Sequence, residues 1–170
     1  MEGEKSMNYK YYNNNFYNPY QPNYMPIGNQ NYMRNTNTTR VESHIQPLIM
    51  NLDGLADENN NYRTVLWTGE NMQLTLMSIP PKEDIGLEVH QNADQFLKLE
   101  EGIARVETGK TKNNIDFVRN IKDGYGILIP AGTWHNITNI GTTALKLYSI
   151  YAPPIHKAGA MQKTKESKVQ

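Results

Sequence analysis

Cysteine is absent from this chain of 170 residues. The absence excludes disulfide bonds and thiolate ligands for a metal ion. It does not distinguish compartments, because cysteine-free proteins occur in all of them. Any metal site in this protein must therefore be built from nitrogen and oxygen ligands.

Long apolar runs are also absent. No segment approaches the roughly 18 apolar residues that cross a bilayer. The first ten residues, MEGEKSMNYK, lack the apolar core of a secretory signal. We therefore expect a soluble, cytoplasmic protein without a membrane partner.

Net charge is zero, but the charges are unevenly distributed. Residues 41–156 contain nine Lys and Arg against fourteen Asp and Glu, whereas residues 1–40 and 157–170 are both mildly basic. Neither end has the clustered basic residues of a nucleic-acid-binding arm, and the acidic body offers no basic patch. Nucleic acid is therefore not expected as a partner.

Composition divides the chain into three parts. Asn and Tyr dominate residues 8–37, which show neither helical nor strand periodicity, so residues 1–40 are predicted to be a disordered tail. Residues 157–170 are polar and Lys-rich and are predicted to be a flexible C-terminal tail. Residues 41–156 remain as a single domain.

Short β-rich runs separated by turn signals fill that domain, from Ile45 to Tyr151. The first of these predicted strands covers Ile45 to Met50, and the one weak helix candidate is Leu52 to Glu58. Many short strands at this spacing predict an all-β sandwich or small barrel. About 110 residues in such a fold can bury a sizeable core.

The segment GYGILIPAGTWHNITN carries the first candidate site residue. Its apolar run must end at Pro130, which has no N–H for a strand ladder, and Gly132 permits a tight corner. His135, Ile137 and Asn139 then share one face of the next strand. We expect Asn139 to hold the corner through side-chain to main-chain hydrogen bonds.

A second segment, GLEVHQNADQFLKLEEG, supplies further polar residues for the same interior. Glu88 and His90 are two positions apart and would point to one side of a strand. Gln95 alternates in phase with Leu97 and Leu99, which places it on the inward face. Burying a carboxylate, an imidazole and an amide costs several kcal/mol unless they are paired or coordinated. A bound metal ion satisfies all three.

These two segments resemble the paired motifs of the cupin superfamily. The second cupin motif, G(x5)PxG(x2)H(x3)N, is matched without a gap by Gly124, Pro130, Gly132, His135 and Asn139. The first, G(x5)HxH(x3 or 4)E(x6)G, is matched in part by His90 and Gly102. The departures from the first motif are Lys82 for the opening glycine, Glu88 for the first histidine and Gln95 for the glutamate. The resemblance covers roughly Ile45 to His156.

The resemblance implies an all-β cupin double-stranded β-helix, or jelly-roll, barrel that commonly forms a homodimer. It also implies one divalent transition metal ion, Mn, Fe, Ni or Zn, held by Glu88, His90, Gln95 and His135. Glu88 restores the single negative charge of the usual ligand set from a different position. The alternative is a metal-free pocket in which the same four residues form a hydrogen-bonded cluster.

Two functions follow from these expectations. The first is a metal-dependent cupin enzyme acting on a small oxygen-rich molecule, such as a sugar derivative or an organic acid, by isomerisation, decarboxylation or dioxygen chemistry. No separate acid or base is assigned, and His44 and His156 are interpreted as surface residues. The second is a non-catalytic binding or structural cupin, located in a spore coat through its Asn/Tyr-rich tail.

Overall fold

The computed structural model describes residues 48–166. The predicted tail of residues 1–40, His44 and the first half of the predicted strand Ile45 to Met50 lie outside this range. The second half of that strand, residues 48–50, is described and forms no strand. Within it the chain forms one short helix, followed by a succession of strands. The elements are α1 Leu52–Glu58, β1 Arg63–Thr68, β2 Gln73–Ile79, β3 Asp94–Glu101, β4 Ile103–Thr111, β5 Asn114–Lys122, β6 Gly126–Ile129, β7 Trp134–Asn139, β8 Leu145–Ala152 and β9 Met161–Gln162.

The strands form two antiparallel sheets. In the described part of the chain, the larger sheet has the order β6-β3-β8-β2-β1-β9 and the smaller one has the order β5-β4-β7. Apolar side chains from both sheets pack together between them, among them Met77, Leu97, Leu147, Val106 and Ile137. Two sheets facing one core confirm the predicted all-β jelly roll.

The inward face of each strand follows the alternation predicted from sequence. Gln95, Leu97 and Leu99 are buried along β3, and their neighbours are more exposed. His135, Ile137 and Asn139 are completely buried along β7. The strand period of two therefore brings polar and apolar residues into one interior.

That interior is polar at one end and apolar at the other. Along β2, β3 and β8 the inward residues are polar in one half of the strand and apolar in the other. The strand registers bring the polar halves together, because Thr75 lies opposite Ser149 and Gln95 lies opposite Tyr151. We call the group Gln73, Thr75, Gln95, Ser149 and Tyr151 the polar end. The apolar end consists of Met77, Ile79, Leu97, Leu99, Leu145 and Leu147.

Helix α1 covers part of the outer face of the larger sheet. It has the predicted bounds and begins after Asn51, whose side chain accepts a hydrogen bond from the N–H of Gly54 at 3.3 Å. Lys146 closes the other end by donating its Nζ to main-chain carbonyls of Asp57 and Asn59. At seven residues, α1 is far too short to span a membrane, and residues 48–166 contain no helix that could.

Asn139 holds the end of β7, as its position in the motif predicts. Its Nδ2 donates to the carbonyls of Ile79 and Thr143, both at 2.8 Å, and its Oδ1 accepts from the N–H of Gly141 at 2.9 Å. Because the side chain is completely buried, these three bonds replace the water that its amide would otherwise bind.

Lys82 has a main-chain conformation that usually requires glycine. Its φ is +69°, and no other non-glycine residue in the described range has a positive φ. Lys82 is the residue at the position where the cupin motif has its opening glycine. The chain has thus kept the left-handed turn without the residue that adopts it most easily.

The segment after His156 pairs with the larger sheet. Strand β9 lies antiparallel to β1, and the N–H of Val65 donates to the carbonyl of Ala160 at 2.8 Å. Lys165 forms an ion pair with Asp84 in the loop after β2. Strand β9 therefore extends the sheet, within residues that the sequence predicts to form a flexible tail.

Candidate metal centre

Glu88 and His135 are held opposite each other by main-chain hydrogen bonds. The Glu88 N–H donates to the His135 carbonyl at 3.0 Å, and the His135 N–H donates to the Glu88 carbonyl at 2.9 Å. This bridge joins the loop after β2 to strand β7. Directly opposed residues of an antiparallel pair point their side chains to the same side. The main chain therefore places the Glu88 carboxylate beside the His135 imidazole.

His90 is the third member of this cluster. Its carbonyl accepts a hydrogen bond from the N–H of Gly132 at 2.8 Å, which ties it to the corner before β7. The Glu88 Oε1 lies 3.4 Å from the His90 Nε2 and 3.5 Å from the His135 Nε2. One potential ligand atom from each residue lies within 4.8 Å of the other two. Three of the predicted metal ligands are therefore neighbours in the fold.

The His135 ring is fixed in one orientation. It is completely buried, and its Nδ1 lies 2.9 Å from the carbonyl oxygen of Thr133. A carbonyl can only accept a hydrogen bond, so Nδ1 carries a proton and Nε2 is the ring nitrogen that faces the cluster. A main-chain partner of this kind is the usual support for a metal-binding histidine.

Glu88 supplies a negative charge to the cluster. Burial raises the pKa of its carboxyl group, but contacts with His135 and His90 and the positive charge of Arg63 together outweigh burial and lower the pKa to about 2. The carboxylate is therefore ionised at neutral pH.

Gln95 lies at the polar end of β3 and is linked to the cluster through Tyr151. Its Nε2 donates to the Ser149 Oγ at 2.9 Å, and its Oε1 is buried without a hydrogen-bond partner. Its register partner on β8, Tyr151, packs its ring against the His90 ring with centroids 5.4 Å apart. The amide nitrogen is thus occupied by Ser149, and the amide oxygen is left as a free acceptor.

Unpartnered acceptors test whether these residues fit a metal ion. The Nε2 atoms of His90 and His135 and the Oε1 of Gln95 are buried and form no hydrogen bonds. A cation between the Glu88 carboxylate and the two Nε2 atoms would satisfy all three groups at once. Ligands at about 2.1 Å from one ion lie roughly 3 to 3.5 Å apart, which matches the separations around Glu88. The residues fit a divalent ion with nitrogen and oxygen ligands.

His156 was wrongly interpreted from sequence as a surface residue. Its ring contacts the Tyr151 ring at a centroid distance of 4.9 Å, and its Nε2 is buried without a hydrogen-bond partner. The side-chain amide of Gln73 holds the main chain of His156 through two hydrogen bonds. His156 follows the end of β8, where no strand alternation indicates its direction. Alternation along β8 could have identified Tyr151, which lies two residues after Ser149.

Arg63 is another interior residue that sequence reasoning left unassigned. Its Nη1 donates to the Gln162 Oε1 at 3.1 Å, and its guanidinium carbon lies 5.5 Å from the centre of the Tyr62 ring. Its Nε is buried and has no hydrogen-bond partner. Its inward direction could have been predicted only from its position in β1, where it pairs with the inward residue Met77.

Comparisons with known proteins agree with this architecture. A protein from Bacillus subtilis (strain 168), YrkC, is 51% identical over 124 residues, which cover 73% of this chain and 67% of YrkC. Protein L612 of Acanthamoeba polyphaga mimivirus is 42% identical over 120 residues, covering 70% of this chain and 73% of L612. The crystal structure of BH2720 from Bacillus halodurans has 49% sequence identity and a TM-score of 0.71, and the match covers 72% of this chain and 94% of that one.

The sequence profile of the cupin domain family matches residues 75–151 of this chain. This range begins in β2 and ends in β8, and it contains the complete cluster around Glu88. With the jelly-roll fold, the second motif and the similarity to BH2720, the match shows that the chain belongs to the cupin family.

Proposed function

We propose that this protein is a metal-dependent cupin enzyme. Glu88, His90, Gln95 and His135 would hold one divalent Mn, Fe, Ni or Zn ion, and a small oxygen-rich molecule would bind beside it. The observation that carries the proposal is the convergence of one carboxylate and two imidazoles whose Nε2 atoms are buried without hydrogen-bond partners. The substrate would be an organic acid or a sugar derivative.

The chemistry of such a centre follows from its charge. Glu88 is ionised, and His90, His135 and Gln95 would be neutral as ligands, so the ligand set carries one negative charge. A divalent ion bound there supplies Lewis acidity that polarises substrate oxygens for isomerisation, decarboxylation or dioxygen chemistry. The main-chain bridge and the Thr133 carbonyl position Glu88 and His135 before any ion binds, so little reorganisation is required.

Elemental analysis of the purified full-length protein tests the metal site. We expect about one equivalent of a transition metal in the wild type, and a higher melting temperature after addition of Mn, Fe, Ni or Zn salts. Glu88→Ala and His90→Gln should lose most of the metal, and His135→Ala should behave in the same way if it folds. Glu83→Ala is the matched control, because Glu83 lies exposed in the same loop.

Absence of bound metal in the wild type, together with an unchanged melting temperature after metal addition, would refute the metal site. Retention of metal by Glu88→Ala at the wild-type level would place the ion elsewhere. Activity is then tested with the metal-loaded full-length protein against organic acids and sugar derivatives.

We also propose that the protein forms a homodimer. An apolar groove of about 500 Å³ lies on the outer face of the larger sheet, where Ile49 is almost fully exposed and Met72 is partly exposed beside Trp67. A second copy would cover these side chains. Light scattering of the wild type and of Ile49→Glu tests this, with dimer expected for the first and a shift toward monomer for the second. A monomeric wild type would refute it.

A further inference from the structure

Two chain segments form neighbouring edges of the two sheets on one side of the barrel. Residues 82–88 lie along β7, where the N–H of Ile85 donates to the Ile137 carbonyl at 3.0 Å. Strand β9 lies along β1, at the edge of the larger sheet. We call residues 160–165, which contain β9, the clasp segment. Its contacts with residues 82–88 determine how this side of the barrel is closed.

Lys165 connects the clasp segment to residues 82–88. Its Nζ forms an ion pair with the Asp84 Oδ1, the same oxygen that accepts a hydrogen bond from the N–H of Gly86 at 2.9 Å. Its Cε lies 3.6 Å from the point where a Cβ would stand on Gly86, whose φ is +85°. Lys165 therefore covers the turn at Gly86, two residues before Glu88.

Tyr62 makes a second connection across the same gap. Its N–H donates to the Lys163 carbonyl at 3.2 Å, and its hydroxyl donates to the Ile85 carbonyl at 3.2 Å. Its ring is buried in the core between the sheets. The clasp segment is thus joined to residues 82–88 through buried bonds of Tyr62 and, at the surface, through the Asp84–Lys165 ion pair.

This gap lies next to the most exposed member of the candidate metal cluster. The Glu88 side chain is 29% exposed, whereas the exposed fractions of His90 and His135 are 14% and 0%. Residues 84–86 directly precede Glu88 and lie under Lys165. Movement of these residues would therefore change both the position of the Glu88 carboxylate and the access of solvent to the cluster.

We propose that the clasp segment gates the Glu88 side of the barrel, and that Lys165 is a positioning residue for Glu88. With the Asp84–Lys165 pair formed, the turn at Gly86 is held against the clasp segment. With the pair broken, residues 84–88 open locally while both sheets remain folded. Because each partner is about one third exposed, salt screens the pair. Only the effect on metal exchange rests on the proposed function.

Amide hydrogen exchange in the full-length, metal-free protein tests the local opening. Lys165→Gln and Asp84→Asn should each speed exchange at Gly86 and Glu88 roughly two- to fivefold, the effect of losing an exposed ion pair. Exchange at Leu97, in the middle of β3, should not change. Asp84→Asn keeps an oxygen for the Gly86 N–H, so it removes only the charge. The double variant should exchange no faster than either single variant.

Two control variants and added salt make the result specific. Lys165→Arg keeps the charge and should exchange as the wild type does. Lys163→Gln removes a charge from an exposed residue of the clasp segment but keeps its carbonyl bond to Tyr62, so it should also match the wild type. Sodium chloride at about 1 M should bring the wild type to the exchange rate of Lys165→Gln and leave that variant unchanged.

Zinc-loaded protein tests the effect on the cluster. Transfer of zinc to excess EDTA should be roughly two- to fivefold faster from Lys165→Gln than from the wild type, with equal zinc content at the start. An unchanged transfer rate would refute the gate. Equal exchange at Gly86 and Glu88 in the wild type and both charge variants, or equally faster exchange at Leu97, would overturn the whole inference. A wild type that binds no zinc would count against the metal centre, and amide exchange would still decide whether the clasp segment holds residues 84–88.

Discussion

The two ends of the barrel interior are built on the same strands but differ in how their side chains are satisfied. At the apolar end, Leu97 and Leu147 are completely buried against other apolar side chains. At the polar end, Thr75, Gln95 and Tyr151 are equally buried or nearly so, yet each has a polar atom without a hydrogen-bond partner. Burial therefore stabilises the fold at the apolar end and destabilises it at the polar end.

This difference distinguishes the residues that stabilise the fold from the residues that are available to bind a ligand. A strand that alternates correctly satisfies the requirements of a jelly roll whether its inward residues are Leu or Gln. Unsatisfied groups such as the Gln95 Oε1 have no structural benefit by themselves, and proteins retain such groups mainly where they bind ligands. We therefore expect removal of an unpartnered polar atom at the polar end to stabilise the fold, and removal of a buried side chain at the apolar end to destabilise it.

The largest effect is expected at the apolar end. Leu147→Ala removes a completely buried side chain and should lower the free energy of unfolding by about 3 kcal/mol, the usual cost of a large cavity. Denaturant unfolding measures this value. Leu128→Ala, at a position that is 81% exposed, should change it by less than about 0.5 kcal/mol. Equal losses of stability in the two variants would show that the buried side chains of the apolar end do not stabilise the fold more than exposed ones.

Paired hydroxyl groups at the polar end sharpen the comparison. Thr75→Val removes a buried hydroxyl that lies near the Tyr151 hydroxyl without a hydrogen bond of good geometry and should raise the free energy of unfolding by about 1 kcal/mol in chelator-treated protein. Ser149→Ala removes a hydroxyl that accepts the Gln95 Nε2 at 2.9 Å and should lower it by about 1 kcal/mol. If Thr75→Val destabilised as much as Ser149→Ala, the polar end would not be under-satisfied.

The smallest effect concerns the loop that leads to the polar end. Lys82→Gly should raise the free energy of unfolding by about 0.5 to 1 kcal/mol, because glycine adopts the observed positive φ without steric cost. Lys110→Gly, in the exposed end of β4, should lower it by a similar amount. Thermal unfolding of both variants measures the difference. The same sign for both would show that the turn does not strain Lys82.

Much of this architecture could be predicted from the sequence, because it depends on local rules. Strand parity correctly assigned the inward faces carrying Gln95 and His135, and the chemistry of the corner gave Asn139 its role. The bounds of α1 also agreed with the sequence. The segment around Glu88, predicted as a short strand, forms an isolated bridge to His135 instead. Its residues nevertheless meet at the expected place.

Features that depend on distant pairing could not be predicted. The Lys-rich composition after residue 156 predicts a tail. Strand pairing uses main-chain groups, however, so a polar segment can still pair with a sheet, as Met161 and Gln162 do with β1. His156 lies beyond the last long strand, so its direction depends on hydrogen bonds to Gln73, more than eighty residues away. The surroundings of Arg63 similarly depend on the pairing of β1 with β2 and β9.

The main-chain bridge between Glu88 and His135 has a consequence for how cupin sites can diverge. Both of its hydrogen bonds use main-chain atoms, so position 88 remains opposite position 135 whichever side chain it carries. Glutamate can therefore stand where the cupin motif has histidine without moving the neighbouring strand. At a ligand position fixed in this way, a single substitution changes the ligand atom without altering the fold. The metal preference of such a site can therefore change in one mutational step.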